Sequence, residues 1–320
     1  MSVCTTRRRA AWRARATAVG AIAVSGSLLL AACGDQTDDV DGGGKRAAGN
    51  KAPLFDRLPP RIQASGVIRV GSDIKYPPVE FRKNGKVTGF DPDLADALGA
   101  QLGVRFVFNN GTFDTLLTGL RAKRYDVAMS AMTDSRSRQD GVDPGTGKKV
   151  GEGVDFVDYL VAGVSIYTRK GDNQGITTWD DLCGKRIVVQ RNTVSHDLAK
   201  DQSKKCAGGG KETISIEAFA DDTEAQTRLR AGGANAGASD FPVAAYAVRT
   251  SGGGNDFRLV GEQVEAAPYG IALAKGNTRL RDALRDALAA IMKNGEYQKV
   301  VKKWGMESGA VTEAKINSGT

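Results

Sequence analysis

Residues 125–139 read Tyr-Asp-Val-Ala-Met-Ser-Ala-Met-Thr-Asp-Ser-Arg-Ser-Arg-Gln, and the rest of the chain can be arranged around them. The first five residues are a short apolar run, typical of a strand buried on both faces of a parallel sheet. Ser130 and Thr133 follow the strand, and residues 134–136 favour the start of a helix. Ligands of open α/β sheets bind beyond the carboxyl ends of strands, so hydroxyls followed by Arg138 predict a carboxylate receptor.

This stretch also has a plainer interpretation. Serine, threonine and arginine after a strand most often form a capped helix with solvated arginines. Arg136 and Arg138 are both candidates for the carboxylate-binding role, and the stretch alone does not choose between them.

The first 33 residues have the pattern of an export signal. Five arginines precede a small apolar run at residues 16–30, and Leu-Ala-Ala-Cys closes it at residues 30–33. This ending resembles a bacterial lipoprotein signal, which implies cleavage before Cys33, acylation of its thiol and anchoring on the extracytoplasmic face of the cell membrane. An ordinary secretory signal with a chance cysteine is the alternative, and the apolar run is short for a membrane span.

Residues 34–53 lack apolar periodicity and predict a flexible tether between the anchor and a folded body. The formal net charge of +8 falls to +3 when the leader's five arginines are removed. No basic stripe interleaved with aromatic residues is present, so we expect no nucleic-acid partner.

Cysteine usage predicts a disulfide. The sequence has four cysteines, and assigning Cys4 to the leader and Cys33 to the anchor leaves Cys183 and Cys206. Two remaining thiols in an exported protein favour a bridge between them. A metal site has little support, because His196 is the single histidine and no Cys-x-x-Cys spacing occurs, so we expect no metal or other cofactor.

The body after the tether alternates strands with helices, which predicts an α/β fold with parallel sheets. In the first half, Asp91 is the predicted cap of a helix that has Pro92 at its first position. Residues 141–153 predict a surface loop or hairpin. The predicted strands are 67–71, 104–108, 125–129, 161–168, 186–190, 214–218, 236–239 and 269–274, and the predicted helices are 92–102, 113–122, 193–203, 222–230, 280–291 and 297–304.

Apolar residues at helical spacing predict the inward faces of two of these helices. They are Leu94, Ala97, Leu98 and Leu102 on the first helix, and Leu280, Ala283, Leu284, Ala287, Leu288 and Ile291 on the helix at 280–291.

The second α/β cycle repeats the first, and each half ends in a small-residue strand followed by a polar side chain, Ser130 or Asp240. We therefore expect two lobes that face each other across a cleft and are joined by two crossing strands. The predicted divisions are 54–160 and 267–308 for lobe 1, 161–266 for lobe 2, and 309–320 for a C-terminal tail.

Five ordered motifs, at residues 71–81, 89–94, 125–138, 154–156 and 268–272, together resemble the polar amino acid substrate-binding proteins of ABC importers, bacterial extracellular solute-binding protein family 3. The resemblance covers about residues 54–306. It implies a bilobal, type II periplasmic-binding-protein-like fold. It also implies a protein that delivers its ligand to a membrane permease and its ATPase.

The resemblance also implies how the α-carboxylate of an amino acid is bound. Its arginine corresponds to Arg138 rather than Arg136, counted from residues 132 and 133. Thr133 and the segment of Ser130 and Ala131 would add donors from lobe 1. Thr193, at a helix start in lobe 2, would donate to the same group.

The remaining implied contacts hold the other end of the ligand. Asp240 corresponds to the carboxylate that receives the α-ammonium, and Asp73 falls where the family often meets the ligand side chain. Tyr76 and Phe113 correspond to aromatic walls. A zwitterion needs a fixed cation and a fixed anion close together, and Arg138 and Asp240 on opposing lobes would supply them.

Two segments depart from the family pattern. The segment 141–153 is longer than the family's usual spacing between the arginine and the Val-Asp-Phe motif, and Arg191 with Asn192 stands where a glycine-containing turn is common.

The acid at Asp73 predicts a preference among ligands. A carboxylate in the cleft favours basic or amide amino acids, unless Lys75 neutralises it.

The function that these features predict is capture of a free amino acid without chemistry. Two alternatives remain at this stage: a sensing module for a separate transducer, or an exported enzyme on the same scaffold, such as a dehydratase or cell-wall lyase. An enzyme would need a positioned acid or base in the cleft.

Overall fold

The computed structural model describes residues 52–172 and 175–320. The predicted leader, Cys33 and all but the last two residues of the predicted tether lie outside these ranges. Within them, no helix is both long and apolar enough to cross a membrane.

The described chain alternates strands and helices as predicted. The strands are β1 Val67–Ser72, β2 Lys75–Tyr76, β3 Glu80–Lys83, β4 Lys86–Thr88, β5 Arg105–Asn110, β6 Val127–Ala128, β7 Val154–Arg169, β8 Arg186–Gln190, β9 Ser215–Phe219, β10 Ala236–Asp240, β11 Phe257–Ala274 and β12 Ala310–Ile316. The α-helices are α1 Pro60–Ser65, α2 Phe90–Leu102, α3 Leu116–Arg121, α4 Arg136–Asp140, α5 Val194–Gly208, α6 Asp222–Arg230, α7 Phe241–Thr250, α8 Thr278–Lys293 and α9 Glu296–Trp304.

One mixed sheet joins the two α/β lobes, in the order β5-β1-β6-β11-β7-β10-β8-β9, with β12 added to β7. In lobe 1, β1 is parallel to both β5 and β6. In lobe 2, β8 is parallel to both β9 and β10. The predicted α/β class and the bilobal, type II periplasmic-binding-protein-like fold are confirmed.

The two crossing strands are longer than predicted, because β7 begins at Val154 rather than 161 and β11 begins at Phe257 rather than 269. They pair antiparallel along both lobes, and the register shifts between Val260 and Val264 and again between Val264 and Ala267. At this interruption, a side chain on Gly163 would come within 2.6 Å of the Val264 carbonyl oxygen, so the two backbones are too close for any larger residue.

Each lobe has its own hydrophobic core. The stripe predicted on α2 is fully buried at Leu94, Leu98 and Leu102, and it packs against α8, where Leu284 and Leu288 are also fully buried. A second cluster under β8 and α5 contains Ile187 and Val189, among others. Periodicity thus identified the inward faces of these helices correctly.

The predicted cap of α2 is wrong. The helix begins at Phe90, and its N-cap residue is Gly89, which has a φ of 141° and leaves 2.1 Å between a built Cβ and the Val79 carbonyl oxygen. Asp91 makes no cap hydrogen bond; it is fully buried and accepts from the backbone amide of Ala131. Its carboxyl therefore supports the loop after β6 instead of the helix end.

The predicted disulfide between Cys183 and Cys206 is present in the structure. It joins the end of the 3-10 helix Trp179–Leu182 to α5, with 5.6 Å between the two Cα atoms, and Cys206 is buried in the lobe 2 core.

We expect Cys183→Ser to lower the free energy of unfolding by about 3 kcal/mol, because the bridge closes a loop that restricts the unfolded chain. Denaturant unfolding of the exported body measures this. Cys206→Ser and the double variant are the matched controls and should lose the same amount, since each removes the same bond. Two titratable thiols in freshly exported protein would contradict the bridge.

Candidate ligand-binding site

Polar side chains meet where the carboxyl ends of strands from the two lobes face each other. Asp73 and Ser130 follow β1 and β6 in lobe 1, while Gln190 and Asp240 end β8 and β10 in lobe 2. This is the edge at which open α/β sheets bind ligands.

A small cavity lies between the lobes at this edge. Seven of the nine residues that the sequence predicted as ligand contacts line this cavity, and the other two, Asp73 and Ser130, do not. The residues lining it are Tyr76, Phe113, Ala131, Thr133, Arg138, Gln190, Thr193, Val194 and Asp240.

The guanidinium of Arg138 reaches from lobe 1 to lobe 2. Its Nη1 donates to the Thr133 carbonyl oxygen at 2.8 Å and its Nη2 donates to the Asn192 carbonyl oxygen at 3.1 Å. The Phe113 ring centroid lies 5.3 Å from its Cζ, a cation–π contact. Both acceptors are neutral, and burial lowers the pKa of Arg138, so this position favours an incoming anion.

Arg136 points elsewhere. It is exposed and forms an ion pair with Asp140 at 3.0 Å along the surface of α4. Of the two competing arginines, the structure therefore directs Arg138 to the cavity and Arg136 to solvent.

Asp240 supplies the acid on the opposite side of the cavity. Burial raises the pKa of its carboxyl to about 6, while nearby Tyr269, Tyr76 and Arg138 act in the other direction. The Tyr76 hydroxyl accepts from the Asp240 backbone amide at 3.4 Å, which brings the two lobes together. An ammonium group beside Asp240 would stabilise its ionised form.

The loop after β6 uses its polar groups inside lobe 1, which differs from the prediction. Ser130 Oγ donates to Glu80 Oε1 at 2.7 Å and accepts from the Asp73 amide at 3.0 Å. The Ala131 amide donates to Asp91, and Ala131 has a φ of 46°. Neither the Ser130 hydroxyl nor the Ala131 amide is available to a ligand here, because the buried acids below need these donors.

Those two acids, Glu80 and Asp91, are fully buried beneath the loop. Burial and the neighbouring Asp91 raise the pKa of Glu80, and burial raises the pKa of Asp91. Glu80 Oε2 and Asp91 Oδ1 have no hydrogen-bond partner in the part of the chain that the structure describes, and a proton shared between the two carboxyls would satisfy both atoms. The pair, with Ser130 and Ala131 bonded to it, is a rigid support for the cavity floor.

Thr193 caps α5 instead of offering its hydroxyl proton to the cavity. Its Oγ1 donates to the Gln190 carbonyl oxygen at 2.7 Å and accepts from the His196 amide at 3.2 Å. The contribution of this segment to an anion is therefore the positive end of α5. Asn192 has a φ of 60°, which explains why a glycine is common at this turn and why asparagine is tolerated.

Gln190 and Val194 line the cavity and were not predicted. Gln190 Nε2 donates to Asp73 Oδ2 at 2.6 Å and so connects the lobes. Burial raises the pKa of Asp73 to about 6. Lys75 does not neutralise it by an ion pair, since Lys75 binds Asp221 at 2.9 Å. The position of Gln190 at the end of a predicted strand was the available signal.

The described ranges, which omit residues 1–51, 173 and 174, contain no cluster of histidine, cysteine, aspartate and glutamate side chains suited to a metal ion.

Known proteins with similar sequences are amino acid receptors. Residues 68–307 match the bacterial extracellular solute-binding proteins, family 3. The arginine-binding protein ArgT of Corynebacterium glutamicum is 30% identical over 307 residues, which is 95% of this chain and 96% of that protein.

Solved structures that are similar to this chain include amino acid-binding proteins. An ancestral arginine-binding protein bound to arginine is 32% identical with a TM-score of 0.66, over 75% of this chain and 98% of that one. The ancestral amino acid-binding protein AncCDT-1, a precursor of cyclohexadienyl dehydratase, is 33% identical with a TM-score of 0.64, over 76% of this chain and 97% of that one.

Proposed function

The chain belongs to the bacterial extracellular solute-binding proteins, family 3, and we propose that it captures a basic amino acid, arginine first, for an ABC importer. It is the substrate-binding component that delivers an amino acid to the membrane permease. The observation that carries the ligand proposal is the half-buried Arg138 guanidinium, which lines the cavity together with Asp240 and whose hydrogen bonds to the described residues go to carbonyl oxygens alone.

The proposed contacts divide the amino acid between the lobes. Its α-carboxylate binds Arg138, with the Thr133 hydroxyl and the positive end of α5 adding to the attraction. Its α-ammonium binds Asp240. Tyr76 and Phe113 pack along the aliphatic part, as their places in the cavity lining support.

Ligand binding would stabilise the closed arrangement of the lobes. Arg138 comes from lobe 1 and Asp240 from lobe 2, so an open form satisfies one charge of a zwitterion at a time. The interlobe contact of Gln190 with Asp73 closes together with the cavity.

The preference for a basic side chain rests on Asp73 and on the named relatives. Asp73 is outside the cavity lining and is bonded to Gln190, a lining residue of lobe 2, so a cationic side chain that displaces the Gln190 amide would meet its carboxyl. Two of the named relatives bind arginine, which supports this order. We expect amino acids with amide side chains to have the next highest affinity.

We propose that no chemistry accompanies binding. Among the cavity-lining residues, Asp240 is the single carboxylic acid, and its position suits the ammonium. The dehydratase precursor among the similar structures is itself an amino acid-binding protein.

We further propose a lipid anchor at Cys33, which rests on the sequence of residues 30–33. The family is extracellular, so export agrees with this segment.

Arg138→Ala should weaken arginine binding by about 30-fold to several thousandfold, because it leaves a carboxylate without its partner. Arg138→Lys should recover part of the loss, since an ammonium lacks the planar fork of a guanidinium. Titration calorimetry measures both. Arg136→Ala is the matched control and should bind normally; near-normal affinity of folded Arg138→Ala would contradict the site.

Arginine affinity should fall below about pH 6 and stay constant above about pH 7. The ammonium binds ionised Asp240, so binding lowers the pKa of this carboxyl from about 6. The complex is then favoured above that pKa and weakens by up to about tenfold per pH unit below it. Calorimetry from pH 5 to pH 8 measures this, and Asp240→Asn should bind weakly with a flatter profile. A constant affinity across the range would refute this role of Asp240.

Cys33→Ser should remove membrane attachment, since one thiol carries the acyl chain. Cell fractionation after expression of the full chain measures this. Cys4→Ser is the control and should remain in the membrane fraction. Processed Cys33→Ser protein that stays in that fraction would be inconsistent with the anchor.

A further inference from the structure

The segment after residue 307 lies beyond the family match. The sequence predicted a tail at 309–320, but Ala310–Ile316 forms β12 and pairs antiparallel with β7. Residues 317–319, called here the C-terminal strap, continue from this strand into lobe 1.

The strap donates hydrogen bonds to two buried acids that interrupt the apolar pattern of β7. Asn317 Nδ2 donates to Asp155 Oδ1 at 3.0 Å. The Ser318 amide and hydroxyl donate to Asp158 Oδ2 at 2.9 and 2.6 Å. Asp155 and Asp158 are both buried, and each needs such partners because an unpaired buried acid is unfavourable.

Gly319 forms hydrogen bonds with the chain neighbours of two cavity-lining residues, Thr133 and Arg138. Its amide donates to Asp134 Oδ2 at 2.7 Å, and its carbonyl oxygen accepts from Gln139 Nε2 at 3.0 Å. Gln139 Nε2 also donates to Asp134 Oδ1 at 2.8 Å, which closes a ring of three residues. Asp134 follows Thr133 in the chain and Gln139 follows Arg138, so the ring brackets the cavity arginine.

The helix that carries Arg138 depends on such contacts for its position. α4 spans five residues, far fewer than a helix needs to be stable alone. The strap backbone fits closely against this segment: a Cβ on Gly319 would lie 1.9 Å from the Asp134 carbonyl oxygen. That closeness admits glycine alone without a shift of the backbone.

We propose that the C-terminal strap positions Arg138 for the ligand, with Gly319 as the positioning residue. The proposal rests on the proposed function, because it concerns the same arginine. It adds a part of the site that lies outside residues 68–307, the segment that matches the family model. The hydrogen bonds of Gly319 go to Asp134 and Gln139, which do not line the cavity, so the strap acts through these two residues.

Gly319→Ala tests the strap, because the added methyl group must displace it from Asp134. We expect about tenfold weaker arginine binding by calorimetry, with the circular dichroism spectrum unchanged. Gly208→Ala is the matched control, since a Cβ there meets nothing within 4 Å, and it should bind normally. A chain that ends after Ser318 removes Gly319 without a clash and should show the same loss.

A coupling measurement separates positioning from general stabilisation. If the strap acts through the guanidinium fork, Gly319→Ala should weaken binding less than threefold when Arg138→Lys is already present. An equal tenfold loss in both backgrounds would overturn the positioning role, as would normal binding by Gly319→Ala and the shortened chain. A wild-type protein that binds no amino acid would instead overturn the proposed function and the strap together.

Discussion

A guanidinium held between two lobes by neutral carbonyl oxygens is the interaction on which this structure depends. Thr133 and Asn192 fix the direction of Arg138, and Phe113 covers one side of it. Burial disfavours this charge, just as it disfavours the ionised form of Asp240 on the other side of the cavity. A molecule that carries an anion and a cation on one carbon would relieve both penalties at once, and this is the physical basis of the proposed amino acid site.

Most polar groups around the cavity are already bonded to the protein. Within single lobes, Ser130 supports Glu80 and Thr193 caps α5. Such internal bonding limits the groups that a ligand can use, but it fixes the cavity walls before the ligand arrives. Pre-organisation of this kind lowers the conformational entropy lost on binding.

Local patterns predicted what local physics determines. Apolar spacing identified the inward faces of α2 and α8, and the polar ends of strands marked the edge where the cavity lies. The choice of Arg138 over Arg136 needed the comparison with the family motif. Asp91 was misassigned because an acid at a helix start looks like a cap, while its actual partner, Ala131, is 40 residues away. β12 escaped prediction for the same reason, since its pairing depends on β7.

The interrupted register between β7 and β11 at residues 260–267 separates a ladder in lobe 2 from a ladder in lobe 1, which has one further shift between Tyr269 and Gly270. Irregular pairing bends more easily than a continuous ladder. We therefore expect the two crossing strands to bend at this register shift more than elsewhere. Its geometry comes from backbone spacing at Gly163 and not from any side chain that lines the cavity. Substitutions of cavity-lining residues can therefore change ligand specificity without changing how β7 and β11 bend. This independence lets new specificities evolve on the same fold.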